Sequence, residues 1–233
     1  MTQTKAVSIA ERRYWTPLIA DRRKRILIET RNLITEIGAD GFTLRDLGQR
    51  AGVSVTTIYN IFGDKAGVIT HALQEFHTGI ELTLPGEARC LQGFVDAISH
   101  TTRIVIENRS YALALADLYF SRSLAPALFE VIRNMPLQVF DPWLDRAAST
   151  GELHERSDPA AIRATFANLE WASIKDWGAG RVTDTHLEAT RHRTFLQVVI
   201  ASTREPLRSA ATAQLCALHF HRATGVCSVG VGE

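Results

Sequence analysis

Within one short stretch the chain gathers Arg45, Val55, Thr56, Thr57, Tyr59, Asn60 and Lys65, a set able to grip a polyanion and read its edges. The hydroxyls of Thr57 and Tyr59 and the ammonium of Lys65 suit phosphate oxygens. Arg45 can pair with guanine, Asn60 with adenine, and the methyls of Val55 and Thr56 with the methyl of thymine. Such groups work only from a fixed frame, so the elements that hold them decide the reading.

The frame is written in the same residues, from Thr43 to Lys65. Thr43 followed three residues on by Asp46 is a capping box, and Phe42 and Leu47 are spaced for the hydrophobic staple that accompanies one. Leu44, Leu47 and Ala51 recur at i, i+3 and i+7, so one stripe faces a core while Arg45, Gln49 and Arg50 stay on or near solvent. Gly52 suits the left-handed residue that ends a helix. Ser54 caps the next, with Val53 and Ile58 as its staple. In that second helix, about Val55 to Phe62, Ile58 and Phe62 fall together with Val55 alongside. The opposite arc carries Thr56, Thr57 and Asn60, flanked by Tyr59 and Ile61. Val-Thr-Thr-Ile is a poor helix former, so tertiary contacts must hold it. Two short helices about a glycine turn are the layout of a helix-turn-helix, which sets its second helix in the major groove of DNA.

Spacing alone leaves this open, because glycine-joined helix pairs also occur in all-α proteins that never touch DNA. The residues upstream narrow it. A helix from about Asp21 to Ile37 places Ile26, Leu33, Ile34 and Ile37 on one face and ends at Gly38, completing a three-helix unit with its own core. It starts with Arg22-Arg23-Lys24-Arg25, and Arg12 and Arg13 lie just before it. A basic run of this kind is either a solvated face or, beside a helix-turn-helix, a means of neutralising phosphates.

Gly41-Phe42-Thr43, Leu47-Gly48, Arg50-Ala51-Gly52-Val53-Ser54, Thr57-Ile58-Tyr59, Phe62-Gly63 and Lys65 resemble the N-terminal domain of the TetR family of transcriptional regulators, over about residues 20 to 75. The Tyr-x-x-Phe-x-x-Lys ending sets the pattern apart from generic helix pairs. The resemblance implies N-terminal helices that bind double-stranded operator DNA and a larger helical domain that dimerises and binds an effector. It also implies DNA-binding roles for Thr43, Arg45, Val55, Thr56, Thr57, Tyr59, Asn60 and Lys65. Of these, Thr57, Tyr59 and Lys65 match positions that contact phosphates, whereas Arg45, Val55, Thr56 and Asn60 match positions that reach base edges. Ile61 departs from the polar or aromatic residue often found at its position, so no phosphate contact is expected from it.

The chain of 233 residues has a net charge of +1, and residues 1–75 hold 11 Lys and Arg against 8 Asp and Glu. So small a surplus gives one copy a weak hold, and pairing two copies doubles both the phosphate contacts and the bases read. No apolar run approaches the ~18 residues a membrane span needs, and the N-terminus lacks a signal-peptide core, so a cytoplasmic protein is expected. Cys90, Cys216 and Cys227 form no motif, which argues against a disulfide framework. Cys216, His219 and His221 are the one cluster to weigh as a metal site. On a helix the two imidazoles point about 160° apart, so neither metal nor cofactor is expected.

Downstream, helix follows helix: about 65 to 83, ended by Pro85-Gly86; then 88 to 107, 110 to 121, 124 to 134, and one between Pro136 and Gly151. Asp158-Pro159 opens the next, which Gly178 to Gly180 stops; a long one runs from Thr183 to Thr203, and another from Pro206 to about His221. Alternating strand patterns are missing from the sequence, so the fold class is all-α. The expected order is an N-terminal arm over 1–19, a helix-turn-helix domain over 20–66, a regulatory and dimerisation bundle over 67–222 and a disordered tail over 223–233.

The helix over 159–177 carries Ile162, Phe166, Leu169 and Ser173 on one face and Ala164, Ala167, Trp171 and Ile174 on another. One face serves the core; the other serves a partner or the middle of a monomeric bundle. The resemblance implies a two-fold homodimer through this helix and the next. Phe94, His100, Tyr111, Tyr119, Phe120, Phe140, Trp143 and Trp171 fall on the middle helices. Tyr111, Trp143 and Trp171 are the favoured contacts of an unidentified small-molecule effector, each setting a donor beside a large apolar face. Paired Glu-x-x-His motifs, a serine nucleophile elbow and a phosphate-cradling glycine loop are missing, which argues against an enzyme. The expectation is a dimeric repressor that a ligand releases from an inverted repeat. An activator, or a DNA binder governed by a protein partner, fits the residues equally well.

Overall fold

The computed structural model describes residues 17–81, 90–122 and 124–223, with the side chains of residues 17, 18, 80, 81 and 219–223 outside that description. Among the described residues the chain forms α1 (Pro17–Ile37), α2 (Leu44–Ala51), α3 (Val55–Phe62), α4 (Lys65–Glu81), α5 (Leu91–Glu107) and α6 (Arg109–Tyr119). They are followed by α7 (Pro126–Asn134), α8 (Leu137–Ser149), α9 (Pro159–Gly178), α10 (Asp184–Ser202) and α11 (Leu207–Ala223). The class is all-α; apart from the helices, the described residues hold one isolated antiparallel bridge between Leu153 and Thr203. Arg12 and Arg13, most of the expected arm, the Pro85-Gly86 stop, Cys227 and the expected tail beyond Ala223, which is the last residue of α11, lie outside the described residues.

The chain divides into two compact units, Met1–Phe76 and His77–Glu233. The division falls inside α4, about ten residues past the expected one. Val68, Ile69, Ala72 and Leu73 are the reason: all four, from the first half of α4, are buried. With them in the first unit's core stand Ile26, Leu27, Leu33 and Ile34 of α1, Leu44, Leu47 and Ala51 of α2, and Ile58 and Phe62 of α3. Ile37 departs from the expected core face and is 53% exposed. It is the last residue of α1, and Gly38, at φ 78°, turns the chain so that Ala39 and Phe42 take the buried positions instead.

The second unit is built around interlocked rings. Phe94 of α5 stacks on Phe195 of α10 with centroids 4.0 Å apart, and Phe140 of α8 stacks on Phe166 of α9 at 4.1 Å. Trp143 meets Phe195 edge to face at 5.5 Å, a favourable arrangement of ring quadrupoles. α11 adds Ala211, with Leu207, Leu215 and Leu218 partly buried against the same core. A polar bolt crosses this packing: the Arg191 Nε of α10 donates to Glu170 Oε2 of α9 at 2.9 Å, and its Nη1 donates to Thr102 Oγ1 of α5 at 2.6 Å.

α9 begins as its sequence demands, with Pro159 in the first turn and the Asp158 carboxylate accepting from Ala160 N–H at 2.9 Å. Of the residues read as its first face, Ile162, Phe166 and Ser173 are buried, but Leu169 is 40% exposed. The corner between α9 and α10 is held by Trp177, whose Nε1 donates to Asp184 Oδ1 at 2.6 Å. The Arg109 guanidinium lies 4.1 Å from the Trp177 ring centroid and also pairs with Asp184.

Candidate nucleic-acid interface

The capping box at the start of α2 is complete. The Thr43 backbone N–H donates to Asp46 Oδ2 at 2.8 Å, Asp46 N–H donates to Thr43 Oγ1 at 3.2 Å, and the Thr43 hydroxyl donates to Asp46 Oδ2 at 2.7 Å. Those bonds, led by the Thr43 hydroxyl, hold the Asp46 carboxyl below its ordinary range. α2 ends at Gly52 in the left-handed region, φ 64°, and Val53 N–H reaches back to the Gly48 carbonyl at 2.9 Å. The turn therefore leads directly into Ser54, whose Oγ accepts from Thr57 N–H at 3.1 Å and caps α3.

α3 is clamped from below by Ile58 and Phe62, both buried. The Arg23 guanidinium of α1 lies 5.7 Å from the Phe62 ring centroid, so one member of the basic run packs on α3 while Arg22, Lys24 and Arg25 are exposed. Above the clamp, Arg45, Thr56, Tyr59 and Asn60 are exposed, Tyr59 by 53%. Val55 and Thr57 are half-buried. The Thr57 hydroxyl lies 2.9 Å from the Ser54 hydroxyl, which orients it at the first turn of α3. Ile61 is half-buried, so its apolar identity matches its surroundings.

Lys65, the first residue of α4, is half-buried. Its ammonium donates to the Phe42 carbonyl and stands 4.5 Å from the Phe42 ring centroid. An ammonium carries three donors, so this anchorage still leaves hydrogens for a phosphate. Residue spacing did not reveal the contact, because Phe42 and Lys65 meet only through the fold. A second unforeseen clamp joins Arg50 of α2 to Glu36 at 2.5 and 2.9 Å and to Glu29 at 3.1 Å. Its one sequence trace is that Glu29 and Glu36 lie two helical turns apart on one face of α1. Such exposed pairs contribute little to stability; their effect here is to fix where α2 sits on α1.

The three residues expected to meet an effector are buried but do not share one surrounding. Trp143 has no exposed surface and belongs to the ring core, whereas Trp171, 7% exposed, stacks on Tyr119 at 5.7 Å. Tyr119 in turn stacks on Phe129 and bonds through its hydroxyl to Asn168. Tyr111 is 8% exposed, on α6. Of the other rings considered, Phe94 and Phe140 are core, Phe120 is exposed, and the half-buried His100 faces Arg103. A cleft of about 380 Å³, lined by Arg109, Trp177, Gly180, Val182, Thr183, Asp184 and Thr185, includes none of the three.

Among the described residues no group of three or more His, Cys, Asp and Glu side chains is placed to hold a metal ion. The side chains of His219 and His221 lie outside those residues. No described helix is long and apolar enough to cross a membrane.

Residues 26–72 match the family model described as bacterial regulatory proteins, tetR family. No curated protein sequence matches the chain. Solved structures share its fold over most of its length. SmeT, the repressor of the Stenotrophomonas maltophilia multidrug efflux pump SmeDEF, is 17% identical, with 79% of this chain and 92% of that one covered at a TM-score of 0.57. FadR from Bacillus subtilis, in complex with stearoyl-CoA, is 18% identical over 76% of this chain and 97% of that one, TM-score 0.57. A TetR family transcription regulator from Marinobacter aquaeolei VT8 is 16% identical over 79% and 97%, also at 0.57. At these identities the likeness is one of fold.

Proposed function

We propose that this chain, whose N-terminal unit is of the tetR family, regulates transcription by binding an inverted-repeat operator as a homodimer, and that a small molecule in the second unit releases it. One observation carries the reading. The matched α2–α3 pair exposes Arg45, Thr56, Tyr59 and Asn60 while Ile58 and Phe62 lock it from below. Arg45 and Asn60 are the side chains suited to base edges, and Thr57, Tyr59 and Lys65 surround them as phosphate donors. Val55 and Thr56 offer methyl groups to thymine, and Thr43, which fixes the start of α2, completes the set.

The small basic surplus of the first unit favours two copies over one. The faces that α9 and α10 leave exposed, including Thr165 and Leu169 on one and Gln197 and Ala201 on the other, are available to a two-fold partner. SmeT is a repressor and FadR was solved with stearoyl-CoA, which supports repression and a small ligand for this chain, with Tyr111, Trp143 and Trp171 as its first candidates.

The test is to recover genomic fragments bound by the purified protein and footprint the tightest. The expected footprint is an inverted repeat whose half-sites lie about 34–36 Å apart, or a multiple of that. A single half-site bound as tightly as the pair overturns the dimeric reading, and uniform binding to all sequences overturns operator recognition. A screen of small molecules against the protein–operator complex should yield compounds that lower affinity; if none does, the ligand-release part fails.

A further inference from the structure

Two consecutive residues of α9, both inside the second unit, each bury a polar atom that nothing around them matches. Glu170 is 3% exposed and Trp171 7%. The Glu170 carboxylate is held by one oxygen alone, with Arg191 Nε and Nη2 at 2.9 and 2.8 Å from Oε2. The remaining arm of that guanidinium, Nη1, is taken by the Thr102 hydroxyl at 2.6 Å. Among the described residues nothing donates to Glu170 Oε1, and nothing accepts from the indole N–H of Trp171. A carboxylate oxygen left so bears the full cost of its desolvation, and buried polar atoms in folded proteins are matched in all but a few cases.

Helical geometry sets the two side chains about 100° apart on α9, with Ala167 and Ile174 pointing between them. Both of those are buried. The strip is therefore apolar in the middle, with an open acceptor at one edge and an open donor at the other. Charge narrows what can meet the acceptor. Arg191 already balances Glu170, so a further cation would be an uncompensated charge in a buried place. A carboxylate would set anion against anion at Oε1. The donors that remain are uncharged, an amide or urea N–H or a hydroxyl.

We infer that Glu170 Oε1 is the anchoring acceptor for the second unit's ligand, which makes that ligand an uncharged molecule with an apolar body and an N–H or O–H donor, and neither a carboxylate nor an organic cation. The inference rests on the small-molecule reading above. The bland alternative is an oxygen that a single buried water satisfies.

Benzamide, acetophenone and benzoate have nearly one shape; the first donates, the second only accepts and the third is an anion. Each is titrated into the full chain, isotope-labelled at its tryptophan nitrogens, and into Glu170→Gln. The indole N–H resonances are followed by NMR, with that of Trp171 identified by Trp171→Phe. Benzamide should move the Trp171 resonance and bind the wild type at least about tenfold more tightly than either analogue, the scale of a hydrogen bond to a charged acceptor. Glu170→Gln can offer an N–H of its own to a carbonyl, so its preference for benzamide over acetophenone should fall to within about twofold. Equal binding of the three to the wild type, benzamide binding that leaves Trp171 unmoved, or a preference that Glu170→Gln leaves intact overturns the inference; so does no binding at millimolar concentration. Should Glu170→Gln fail to fold, the wild-type preference and the Trp171 shift decide. Operator affinity on the footprinted fragment, measured in the same solutions, separates the two readings. Benzamide that binds through Glu170 without lowering that affinity overturns ligand release and leaves the ligand class standing. Release by compounds indifferent to Glu170→Gln does the reverse.

Discussion

The ammonium of Lys65 is divided between its own fold and solvent, since it is anchored on the Phe42 carbonyl and ring yet retains donors for an anion. Lys65→Met should weaken binding to every duplex alike and lower the slope of log affinity against log salt by about one, the signature of a lost phosphate contact. Asn60→Ala, on the exposed arc, should instead cost about 1–3 kcal/mol at one base position and leave the salt slope unchanged. Competition binding with single-base operator variants at several salt concentrations checks both, and indistinguishable effects from the two changes would defeat the division of roles. The caps at Thr43 and Ser54 and the glycine turn were legible in the sequence because each is closed within three or four residues. The Lys65–Phe42 and Arg50–Glu36 contacts were not, since their partners lie 23 and 14 residues apart and only the packing of α1, α2 and α4 brings them together.

At the scale of helices, the pairing of Arg191 with Glu170 and Thr102 holds α10 to α9 and α5 through buried charge. Arg191→Met leaves Glu170 uncompensated and should lower unfolding free energy by about 3–5 kcal/mol, whereas the double change with Glu170→Leu should recover much of that loss. Urea denaturation of the single and double variants decides it. One residue on, His192 is buried, with Nε2 at 3.1 Å from both the Val95 carbonyl and the Ser99 hydroxyl, and Ser99 also bonded to Glu188. Desolvation holds its pKa below the ordinary 6.5, outweighing the Val95 bond and the nearby Glu188. Because the unfolded chain then binds the proton more readily, stability rises with pH across this window and falls as the solution is acidified below about 6.5. The urea midpoint between pH 5 and 8 should show that slope, and His192→Gln should flatten it. Helix order and most helix ends could be read from proline, glycine and apolar spacing. The exposure of Ile37 and Leu169 could not, because periodicity assigns a residue to a face and says nothing of whether another element covers it.

For the whole molecule, two copies joined by a two-fold axis would tie DNA recognition to distance. Inserting five base pairs between the half-sites rotates one by about half a helical turn and should reduce affinity by orders of magnitude, while ten should restore most of it; gel-shift titration on the spaced operators measures this. The segment that matches the tetR family model, residues 26–72, was legible from local motifs, but Tyr111, Trp143 and Trp171 were chosen by chemistry alone, and burial separates Trp143 from Trp171. The interlocked rings of Phe94, Phe140, Phe166, Phe195 and Trp143 carry a kinetic corollary. A compound that lodges beside Trp143 must wait for the rings to part, so its observed association rate should level off with rising concentration at the rate of core opening. Stopped-flow tryptophan emission would then report a ceiling set by the protein, common to chemically unrelated ligands of that site.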